Sequence, residues 1–525
     1  MRSPIIIGTR GSELALWQAN FTKSELEKNG IAAELKIIKT KGDTTQEWNT
    51  SFNKLEGKGF FTKELEEELL AGTIDLAVHS CKDLPTENPT GLRIMAYSKR
   101  ANHFDILIIR KDKKDESKVL KLPENAIVGT SSARRKAQLL AFRNDIELKD
   151  IRGNVPTRIQ KLSNQEFDAI VLAAAGVERL GLNLDEFEVI ELKAPMFVPA
   201  PAQGVLAFQI RETDDDMMAV CQLLNDVDSA IITTIERDLL EEFQGGCQIP
   251  LGVFSKKEQE LVHTWISYAD AWNAVPKRRL FVSNAVSHLM YHPEITRNLK
   301  NHQPKTVFIS SDYTDNDYVV RVLKAHGYKV HAESFVEFSA VDFDVPKDAD
   351  WLFFSSKNGV KYFFNSELRT ENSTFKIAAI NQGTAQAIYE LGLGLKVDFI
   401  GKGSDLQQIA ADFDAVASGK IVFPQAQKSM QTIQRNLTKN MDIHTLVVYK
   451  NQPKAGIEKR SEEVLIFTSP MNAAAYFSKH KLENNQQIIS IGNTTTKKLT
   501  EFSVNDIKTA YEPSNWCIID EVFNL

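Results

Sequence analysis

The chain has 525 residues, of which 42% are hydrophobic and 25% charged, and its formal net charge at pH 7 is -6. These proportions are typical of a soluble globular protein, and the length allows several domains that each bury a core. The slightly acidic balance gives no support for nucleic acid or an anionic membrane as a partner. No apolar run approaches the roughly 20 residues of a membrane-spanning helix.

The N-terminus and the cysteines indicate the cellular compartment. Residues 1–8 lead into a strand-like run and do not have the pattern of a signal peptide. The four cysteines have no metal-ligand spacing and are too few for a disulfide framework. We therefore expect a cytoplasmic protein with reduced thiols and no metal site.

The first third of the chain alternates between strand-like and helix-like segments. Apolar runs predict strands at 5–7, 33–40, 74–79, 126–130 and 168–173, and helix formers predict helices at 13–28, 63–70 and 131–142. This alternation is typical of α/β domains with parallel sheets, which bind ligands at the carboxyl ends of their strands.

Polar and basic residues follow these strands. Thr9-Arg10-Gly11-Ser12 and Ser80-Cys81-Lys82-Asp83 each follow a strand, and Gly129 to Arg135 joins a strand to a helix N-terminus, where N–H groups and guanidinium groups would hold an anion. Asp150 to Arg158 repeats the pattern, and Arg179 follows the next strand. One such arginine would be interpreted as a surface charge. Together they predict one cleft for a ligand with several carboxylates or phosphates. Nucleotide phosphate is the weaker choice, because no phosphate-binding glycine motif accompanies them.

A single thiol is displayed further along the chain. Cys247 follows Gly245-Gly246 and precedes Pro250, a composition that favours an open turn. A thiolate is a strong nucleophile, so a cysteine presented in this way suits covalent attachment. A lone cysteine is more often a small buried hydrophobe, and it is the basic cleft upstream that favours attachment here.

Two charged runs precede a change of pattern near residue 304. Lys256 to Glu260 predicts a turn between strands, and Lys277-Arg278-Arg279 predicts a solvated charge run. From Lys305 onward a new α/β pattern begins.

This second part contains an internal repeat. Residues 351–364 parallel 464–477, and residues 377–385 parallel 489–496. Each unit has an apolar strand, a hydroxyl-rich turn and a helix, so two similar lobes would direct helix N-termini toward a shared cleft. For any single hydroxyl, helix capping alone is the simpler interpretation.

The motifs of the first half resemble hydroxymethylbilane synthase (porphobilinogen deaminase). They lie in order over about residues 5–254, at 9–19, 57–61, 77–85, 129–135, 152–154 and 245–250. The resemblance implies an α/β fold with three domains: two lobes like those of periplasmic binding proteins and a small α+β domain. It also implies a dipyrromethane cofactor joined by a thioether to Cys247, onto which four porphobilinogen molecules are added, with release of ammonia, to give hydroxymethylbilane.

The family's functional residues carry over onto matching positions. Asp83 matches the catalytic carboxylate, which can pair with pyrrole N–H groups and stabilise a cation as ammonia leaves. Lys82, beside it, matches one of the family's positively charged catalytic positions. Without the other motifs, Asp83 would be interpreted as an Asx turn before Pro85. The resemblance assigns cofactor binding to Cys247, Arg10, Ser12, Lys82, Asp83, Thr130, Ser131, Ser132, Arg134, Arg135, Arg152, Gly153, Arg158, Arg179 and Gln203.

Substrate binding is expected at the mouth of the cleft. Lys58 and Phe61, with Lys54 nearby, would lie on a glycine-punctuated loop there, and mobile surface lysines are the alternative interpretation.

Two segments depart from the family pattern. His103-Phe104-Asp105 lacks the usual proline before the aspartate, and Ala200 to Gly204 has alanine where a second glycine is frequent before Gln203.

Residues 304–525 resemble uroporphyrinogen-III synthase. The resemblance rests on the strand–Ser/Thr–helix units, the turn beginning Ile491-Gly492, and Tyr449 near the end of a lobe. It implies that this half closes the linear tetrapyrrole to uroporphyrinogen III without a metal. Tyr449 would assist loss of the hydroxyl as a hydrogen-bond donor, and the substrate would contact Ser356, Thr468, Ser469, Thr494 and Thr495. Asn381-Gln382-Gly383 replaces the commoner Gly-Pro-Gly, and residues 425–427 lack a basic residue often found there.

Together the two resemblances imply a bifunctional enzyme, a monomer, that binds porphobilinogen and neither nucleic acid nor membrane. The expected divisions are 1–99 (with 200–214 returning) for domain 1, 100–199 for domain 2, 215–300 for domain 3 and a linker, and 304–525 for the synthase-like region, with lobe A at 304–338 and 452–525 and lobe B at 339–451. Two alternatives stay open. A non-catalytic anion-binding protein would leave Cys247 and Asp83 unexplained, and the C-terminal half could be a binding or scaffold module.

Overall fold

The computed structural model describes residues 4–40, 62–243, 249–284, 303–344, 346, 348–365, 375–403, 405–429, 431–438 and 441–525. Within these residues the chain forms five β-sheets, which we number in the order in which the chain first enters them. Helices pack against the sheets, and the predicted α/β class is confirmed.

Sheet 1 and its helices form the first lobe. Its strand order is β2-β1-β3-β10-β4, with β1 at Ile5–Thr9, β2 at Ala33–Ile37, β3 at Leu76–Ser80, β4 at Leu92–Tyr97 and β10 at Leu206–Arg211. Three helices belong to it: α1 at Glu13–Lys28, α2 at Lys63–Leu70 and α6 at Asp215–Gln222. The core lies between α1 and the sheet, where Ile7, Val78 and Phe208 are buried with Ala19 and Leu26.

Sheet 2 and its helices form the second lobe. Its strand order is β7-β6-β8-β5-β9, with β5 at Asp105–Arg110, β6 at Ile127–Gly129, β7 at Glu147–Lys149, β8 at Ala169–Ala173 and β9 at Phe187–Leu192. The helices are α3 at Ala133–Phe142, α4 at Val155–Ser163 and α5 at Ala174–Arg179.

The chain passes between these lobes twice. Residues 98–104, the first crossing, lead from β4 to β5, and residues 193–205, the second crossing, lead from β9 back to β10. Both β5 and β10 run antiparallel to their sheet neighbours. The alternation predicted parallel sheets, and the sheets of these two lobes are instead mixed. A strand entered directly from another sheet has no crossover helix to make it parallel.

The two crossings pack closely against each other. Gly204, in the second crossing, has φ +92°, and a Cβ at this position would lie 2.8 Å from the carbonyl oxygen of Ala101 in the first crossing. Only glycine fits this contact without a shift of the backbone. The alanine that departs from the family pattern, Ala202, also has positive φ, at 59°.

A third unit follows the two lobes. It contains the antiparallel sheet 3, with β11 at Leu251–Glu258, β12 at Leu261–Tyr268 and β13 at Lys277–Ser283, and the long helix α7 at Val227–Glu242. Apolar residues of α7, including Leu239, pack against Val253 and Ile266 of the sheet. The predicted turn lies at Gln259, which has φ 55°.

The C-terminal half, residues 303–525, contains sheets 4 and 5. Sheet 4 is wholly parallel and has the order β15-β14-β22-β23-β24, with β14 at Thr306–Ile309, β15 at Lys329–Ala332, β22 at Val464–Phe467, β23 at Gln487–Ser490 and β24 at Ile507–Thr509. Its helices are α8 at Tyr318–Ala325, α13 at Pro470–Phe477, α14 at Asn493–Glu501 and α15 at Asn515–Phe523.

Sheet 5 is formed by residues 336–453, which lie in the sequence between the two segments that form sheet 4. Its order is β16-β21-β20-β17-β18-β19, with β16 at Val336–Ala340, β17 at Trp351–Phe354, β18 at Lys376–Ala379, β19 at Phe399–Ile400, β20 at Lys420–Ala426 and β21 at Asp442–Pro453. Its helices are α9 at Lys357–Phe364, α10 at Gln382–Tyr389, α11 at Leu406–Val416 and α12 at Thr432–Arg435. Among the strand pairs that the structure describes in this sheet, β16–β21 is antiparallel and the others are parallel.

None of the helices in the described ranges combines the length and apolar character that crossing a membrane requires.

One charged run is placed differently from expectation. Lys277-Arg278-Arg279 was expected to be solvated, but Arg278 is only 1% exposed and forms an ion pair with Asp520 of α15. The expectation is wrong because the run lies in a strand that the C-terminal half covers.

Candidate active site

The Lys82-Asp83 pair lies at the carboxyl end of β3. A short 3-10 helix, Cys81–Asp83, follows that strand directly, and places Lys82 partly buried and Asp83 exposed. Arg237 of α7 donates hydrogen bonds to the carbonyl oxygens of Cys81, Leu84 and Pro85. The third unit therefore fixes the turn that presents Asp83.

A buried carboxylate in the second lobe organises two of the predicted arginines. Asp105 begins β5 and is fully buried, and its two oxygens accept hydrogen bonds at 2.7 Å from Arg134 and from Arg135 at the start of α3. Burial alone would raise the pKa of Asp105, but the two guanidinium groups outweigh it and hold the pKa well below its ordinary value. Two positive charges and one negative charge remain, so this cluster is basic.

Gln203 joins this cluster to Lys82 across the lobes. Its side-chain amide donates to the carbonyl oxygen of His103 at 2.8 Å and to Asp105 at 3.1 Å, and its oxygen accepts from Lys82 Nζ at 3.4 Å. Burial lowers the pKa of Lys82, and neighbouring Asp83 opposes that shift. Gln203 and Asp105 both lie in the segments that depart from the family pattern.

Arg158 brings a further positive charge toward Asp83. It lies in α4, and its Nε donates to the carbonyl oxygen of Gly153 at 2.8 Å. Burial and repulsion from Arg135 lower its pKa to about 10, whereas Asp83 acts in the opposite direction. Because Asp83 belongs to the first lobe and Arg158 to the second, charged groups of the two lobes interact across the cleft. The turn before α4 needs a glycine at position 153, which has φ +109° and where a Cβ would lie 2.7 Å from Thr157.

The predicted hydroxyl groups serve the helix N-termini of the cleft. Ser132 accepts from the amide of Arg135 and caps α3, and Thr130 accepts from the amide of Ser132. Ser131 donates to the carbonyl oxygen of Ile151 at 2.8 Å. In the first lobe, Ser12 caps α1.

Three predicted basic residues remain: Arg10, Arg152 and Arg179. Arg179 lies 5.5 Å from the ring centroid of Trp17 in the first lobe and donates to the carbonyl oxygen of Gly204 at 2.8 Å. Burial lowers its pKa to about 10. Arg10 follows β1 and is close enough to His79 to help lower the pKa of that ring, and Arg152 follows β7.

Three predicted residues, Cys247, Lys58 and Phe61, lie outside the described residues, so their roles stay predictions. The described residues nearest to Cys247 in the sequence are Phe243 and Ile249. Helix α7, which leads toward Cys247, is the helix whose Arg237 holds the turn with Asp83. Asp105 and Arg237 were not predicted as site residues. The sequence could have indicated Asp105, because it is a single carboxylate at the start of an apolar strand. No sequence pattern indicates Arg237.

In the C-terminal half, Tyr449 lies within β21, four residues before the last residue of the strand, Pro453. Its ring is buried and stacks on Tyr362 with centroids 5.3 Å apart, and its hydroxyl lies 3.3 Å from Ser356 Oγ. Ser356 also caps α9 by accepting from the amide of Gly359. Burial raises the pKa of Tyr449, so its hydroxyl keeps its proton at neutral pH and can donate a hydrogen bond.

The other predicted hydroxyls belong to sheet 4. Ser469 caps α13, and Thr468 donates to the carbonyl oxygen of Ser310 at 2.6 Å. In the first turn of α14, Thr495 is buried and Thr494 is exposed. Asn451, two residues after Tyr449, donates to the sulfur of Met471 in α13, so the strand of Tyr449 contacts the helix that Ser469 caps.

Comparison with known proteins follows this division of the chain. The family model "Porphobilinogen deaminase, dipyromethane cofactor binding domain" matches residues 5–219, and "Porphobilinogen deaminase, C-terminal domain" matches residues 230–266. The porphobilinogen deaminase of Nitratiruptor sp. is 49% identical over 249 residues, which are 47% of this chain and 77% of the relative. That of Syntrophomonas wolfei is 44% identical and covers 49% of this chain and 82% of the relative. The chain belongs to the porphobilinogen deaminase family.

The C-terminal half matches a second family model, "Uroporphyrinogen-III synthase HemD", over residues 317–518. A solved uroporphyrinogen-III synthetase from Helicobacter pylori covers 42% of this chain and 100% of its own, with 22% identity and a TM-score of 0.34. The predicted function in tetrapyrrole biosynthesis is confirmed, as is the fusion of a hydroxymethylbilane synthase with a uroporphyrinogen-III synthase. We refer to residues 303–525 as the synthase half.

The predicted cofactor, dipyrromethane, is also confirmed by the family model of the first domain. The cleft residues fit this group. A dipyrromethane with acetate and propionate side chains is a polyanion, and the seven predicted basic residues of the cleft outnumber the carboxylates Asp83 and Asp105 described above. The basic residues are Arg10, Lys82, Arg134, Arg135, Arg152, Arg158 and Arg179.

The Asp105 cluster leads to a prediction about stability. Asp105→Asn leaves two buried guanidinium groups without their counter-charge, a change that typically costs about 3–5 kcal/mol. We expect a lower urea midpoint at pH 7, whereas Asp112→Asn, which alters an exposed pair with Arg110, should have little effect.

The pH dependence of unfolding tests the same cluster. Because the folded pKa of Asp105 is depressed, its contribution is present above the ordinary value of 3.8 and is lost as the pH falls below that value. The Asn variant should lack this part of the acid dependence. An unchanged urea midpoint in the Asp105 variant would show that the cluster does not stabilise the fold.

Proposed function

We propose that Asp83 is the carboxylate that stabilises the cation formed as porphobilinogen loses ammonia. The observation that carries this proposal is the contrast between the two carboxylates of the cleft. Asp105 is buried and accepts hydrogen bonds from two arginines, whereas Asp83 is exposed, follows Lys82 and faces Arg158. Of the two, Asp83 is the one available to a pyrrole N–H group.

The basic residues have a different part in this proposal. Arg134, Arg135 and Arg158 hold acetate and propionate groups, for which planar guanidinium groups suit bidentate contacts. Lys82 donates hydrogen bonds beside Asp83, and its lowered pKa favours giving up a proton. When bound, the dipyrromethane supplies the pyrrole carbon to which the first substrate molecule is joined. Cys247 would hold that cofactor through a thioether, formed by attack of its thiolate.

For the synthase half, we propose that Tyr449 donates a hydrogen bond to the hydroxyl that leaves the linear tetrapyrrole. Its raised pKa keeps the proton in place, and its contacts with Ser356 and Tyr362 fix the direction of the hydroxyl. Ser356 and the hydroxyls of sheet 4, from Thr468 to Thr495, would contact the carboxylates of the substrate.

Asp83→Asn tests the proposed carboxylate directly. The change keeps the size of the side chain but removes the charge, so turnover of porphobilinogen should fall by at least about 10²–10⁴-fold while the cofactor stays bound. Porphobilinogen consumption gives the rate, and mass spectrometry shows bound cofactor or partly elongated chains. Asp112→Asn is the matched control. If the Asp83 variant turns over at the wild-type rate, Asp83 is only a turn residue.

Cysteine variants test the point of attachment. Cys247→Ser should abolish the covalent dipyrromethane, because a hydroxyl is a much weaker nucleophile at neutral pH. The three other cysteines are buried, and burial raises the pKa of Cys81 to about 11 and of Cys221 and Cys517 to about 12. Replacing any of them by Ala should leave the intact mass of the attached cofactor unchanged. Retention of the cofactor by the Cys247 variant would contradict this assignment.

Tyr449→Phe tests the second reaction in the full chain. With the hydroxyl removed and the ring retained, part of the linear tetrapyrrole should cyclise without help to the type I isomer. Isomer analysis of oxidised product made from porphobilinogen gives the ratio. Tyr389→Phe, at the end of α10, should still give mainly type III. Unchanged type III product from the Tyr449 variant would exclude the proposed donor role but not the synthase activity.

A further inference from the structure

The synthase half contacts the deaminase through a buried guanidinium group. Arg278 lies in β13, and its Nε and Nη2 donate to the two oxygens of Asp520 in α15, at 3.1 and 3.4 Å. Both side chains are 1% exposed. The same guanidinium donates from Nη1 to the carbonyl oxygen of Met196 at 3.0 Å and from Nη2 to that of Pro195 at 2.6 Å. One side chain therefore joins sheet 3, the second crossing and the final helix of the synthase half.

The second crossing continues this contact into the cleft. Val198, two residues after Met196, accepts a hydrogen bond through its carbonyl oxygen from Arg134 at 2.9 Å, and its amide donates to Gln138 at 2.7 Å. Arg134 is one of the two arginines paired with Asp105, and Gln203 links Asp105 to Lys82. Hydrogen-bonded groups and a short length of backbone thus connect Asp520 with the residue before Asp83.

The synthase half also contacts the opposite end of α3. Tyr318 of α8 stacks on Phe142 with centroids 4.5 Å apart and an interplanar angle of 4°, and Arg321 donates to the carbonyl oxygen of Phe142. Helix α3 begins with Arg134 and Arg135, so the contact holds the helix that presents these residues. Around Arg278, Asn524 bonds to Arg279 and to the carbonyl oxygen of Leu280.

From these contacts we infer that Asp520, a residue of the synthase half, is a positioning residue of the deaminase. By fixing Arg278 it holds Pro195 and Met196, and through them the place of Arg134 in the cleft. A buried guanidinium with no counter-charge is unfavourable, so Arg278 keeps this position only while Asp520 is paired with it. The inference goes beyond the proposed role of Asp83 and uses deaminase turnover only as a readout.

The first test is Asp520→Asn in the full-length chain. Coupling between two sites in one protein is commonly about 5- to 150-fold, and we expect the low end, a change of about fivefold in KM or kcat for porphobilinogen consumption. The amides of Phe197 and Val198, which are bonded to Lys193 and Gln138, should exchange with deuterium faster. Asp315→Asn, which alters an exposed pair with Lys324 within the synthase half, should change neither quantity.

A second variant separates positioning from stability. The double variant Arg278→Met with Asp520→Leu removes both charges, and apolar replacements of a buried ion pair are often tolerated by the fold. The carbonyl groups of Pro195 and Met196 still lose their donors. If Asp520 is a positioning residue, the change in KM or kcat and the fast exchange should persist in the double variant. The midpoint of thermal unfolding should nevertheless return toward the wild-type value from the lower value expected for Asp520→Asn.

Two results would overturn the inference. One is wild-type KM and kcat in the Asp520→Asn variant. The other is a return of both constants to wild-type values in the double variant, which would show that the pair only stabilises the fold. The proposed role of Asp83 is tested separately, since its own variant can lose turnover whether or not Asp520 affects the deaminase.

Discussion

The basic cleft depends on the pairing of Asp105 with Arg134 and Arg135. A site that holds a polyanion must concentrate positive charge, and guanidinium groups buried side by side repel each other. One buried carboxylate between them offsets this repulsion and, with Gln203, fixes both side chains. Because Asp105 is fully engaged, its charge does not compete for the ligand, and Asp83 keeps a separate place at the surface of the cleft.

The topology explains why this cluster lies between the lobes. The chain crosses from sheet 1 to sheet 2 and returns, and the strands that follow the crossings, β5 and β10, run antiparallel to their neighbours. Asp105 begins the first of these strands, and Gln203 lies just before the second. The crossings therefore carry both polar groups to the junction, where the amide of Ala101 donates a hydrogen bond to the carbonyl oxygen of Gly204 at 3.1 Å and joins the two crossings. A change in lobe orientation would alter the same contacts that position the arginines.

Local patterns in the sequence predicted much of this architecture. Helix α1 has the predicted bounds, because Ser12 caps its first turn and the helix formers end at Lys28. The basic residues after the strands were found because the carboxyl ends of strands in such folds share one edge. Two features were beyond local patterns. Lys277-Arg278-Arg279 looks like a solvated run because the partner of Arg278 lies 242 residues away, and the directions of β5 and β10 depend on which sheet each strand joins. Cys247, Lys58 and Phe61 lie outside the described residues, so their part of the site rests on sequence alone.

The fusion of the two enzymes has a kinetic consequence that follows from the chemistry. The linear tetrapyrrole cyclises without help in a unimolecular reaction, whereas capture by a separate synthase is bimolecular and slows as the synthase is diluted. Joining the two sites in one chain gives the synthase an effective concentration near the deaminase that does not depend on protein concentration. A flexible linker alone would be enough to give this high effective concentration. The buried Arg278–Asp520 pair goes further, since it fixes one orientation of the synthase half against the second and third units of the deaminase. That fixed orientation also acts on the deaminase, because Arg278 holds Pro195 and Met196 of the second crossing, and Val198 of the same crossing accepts a hydrogen bond from Arg134.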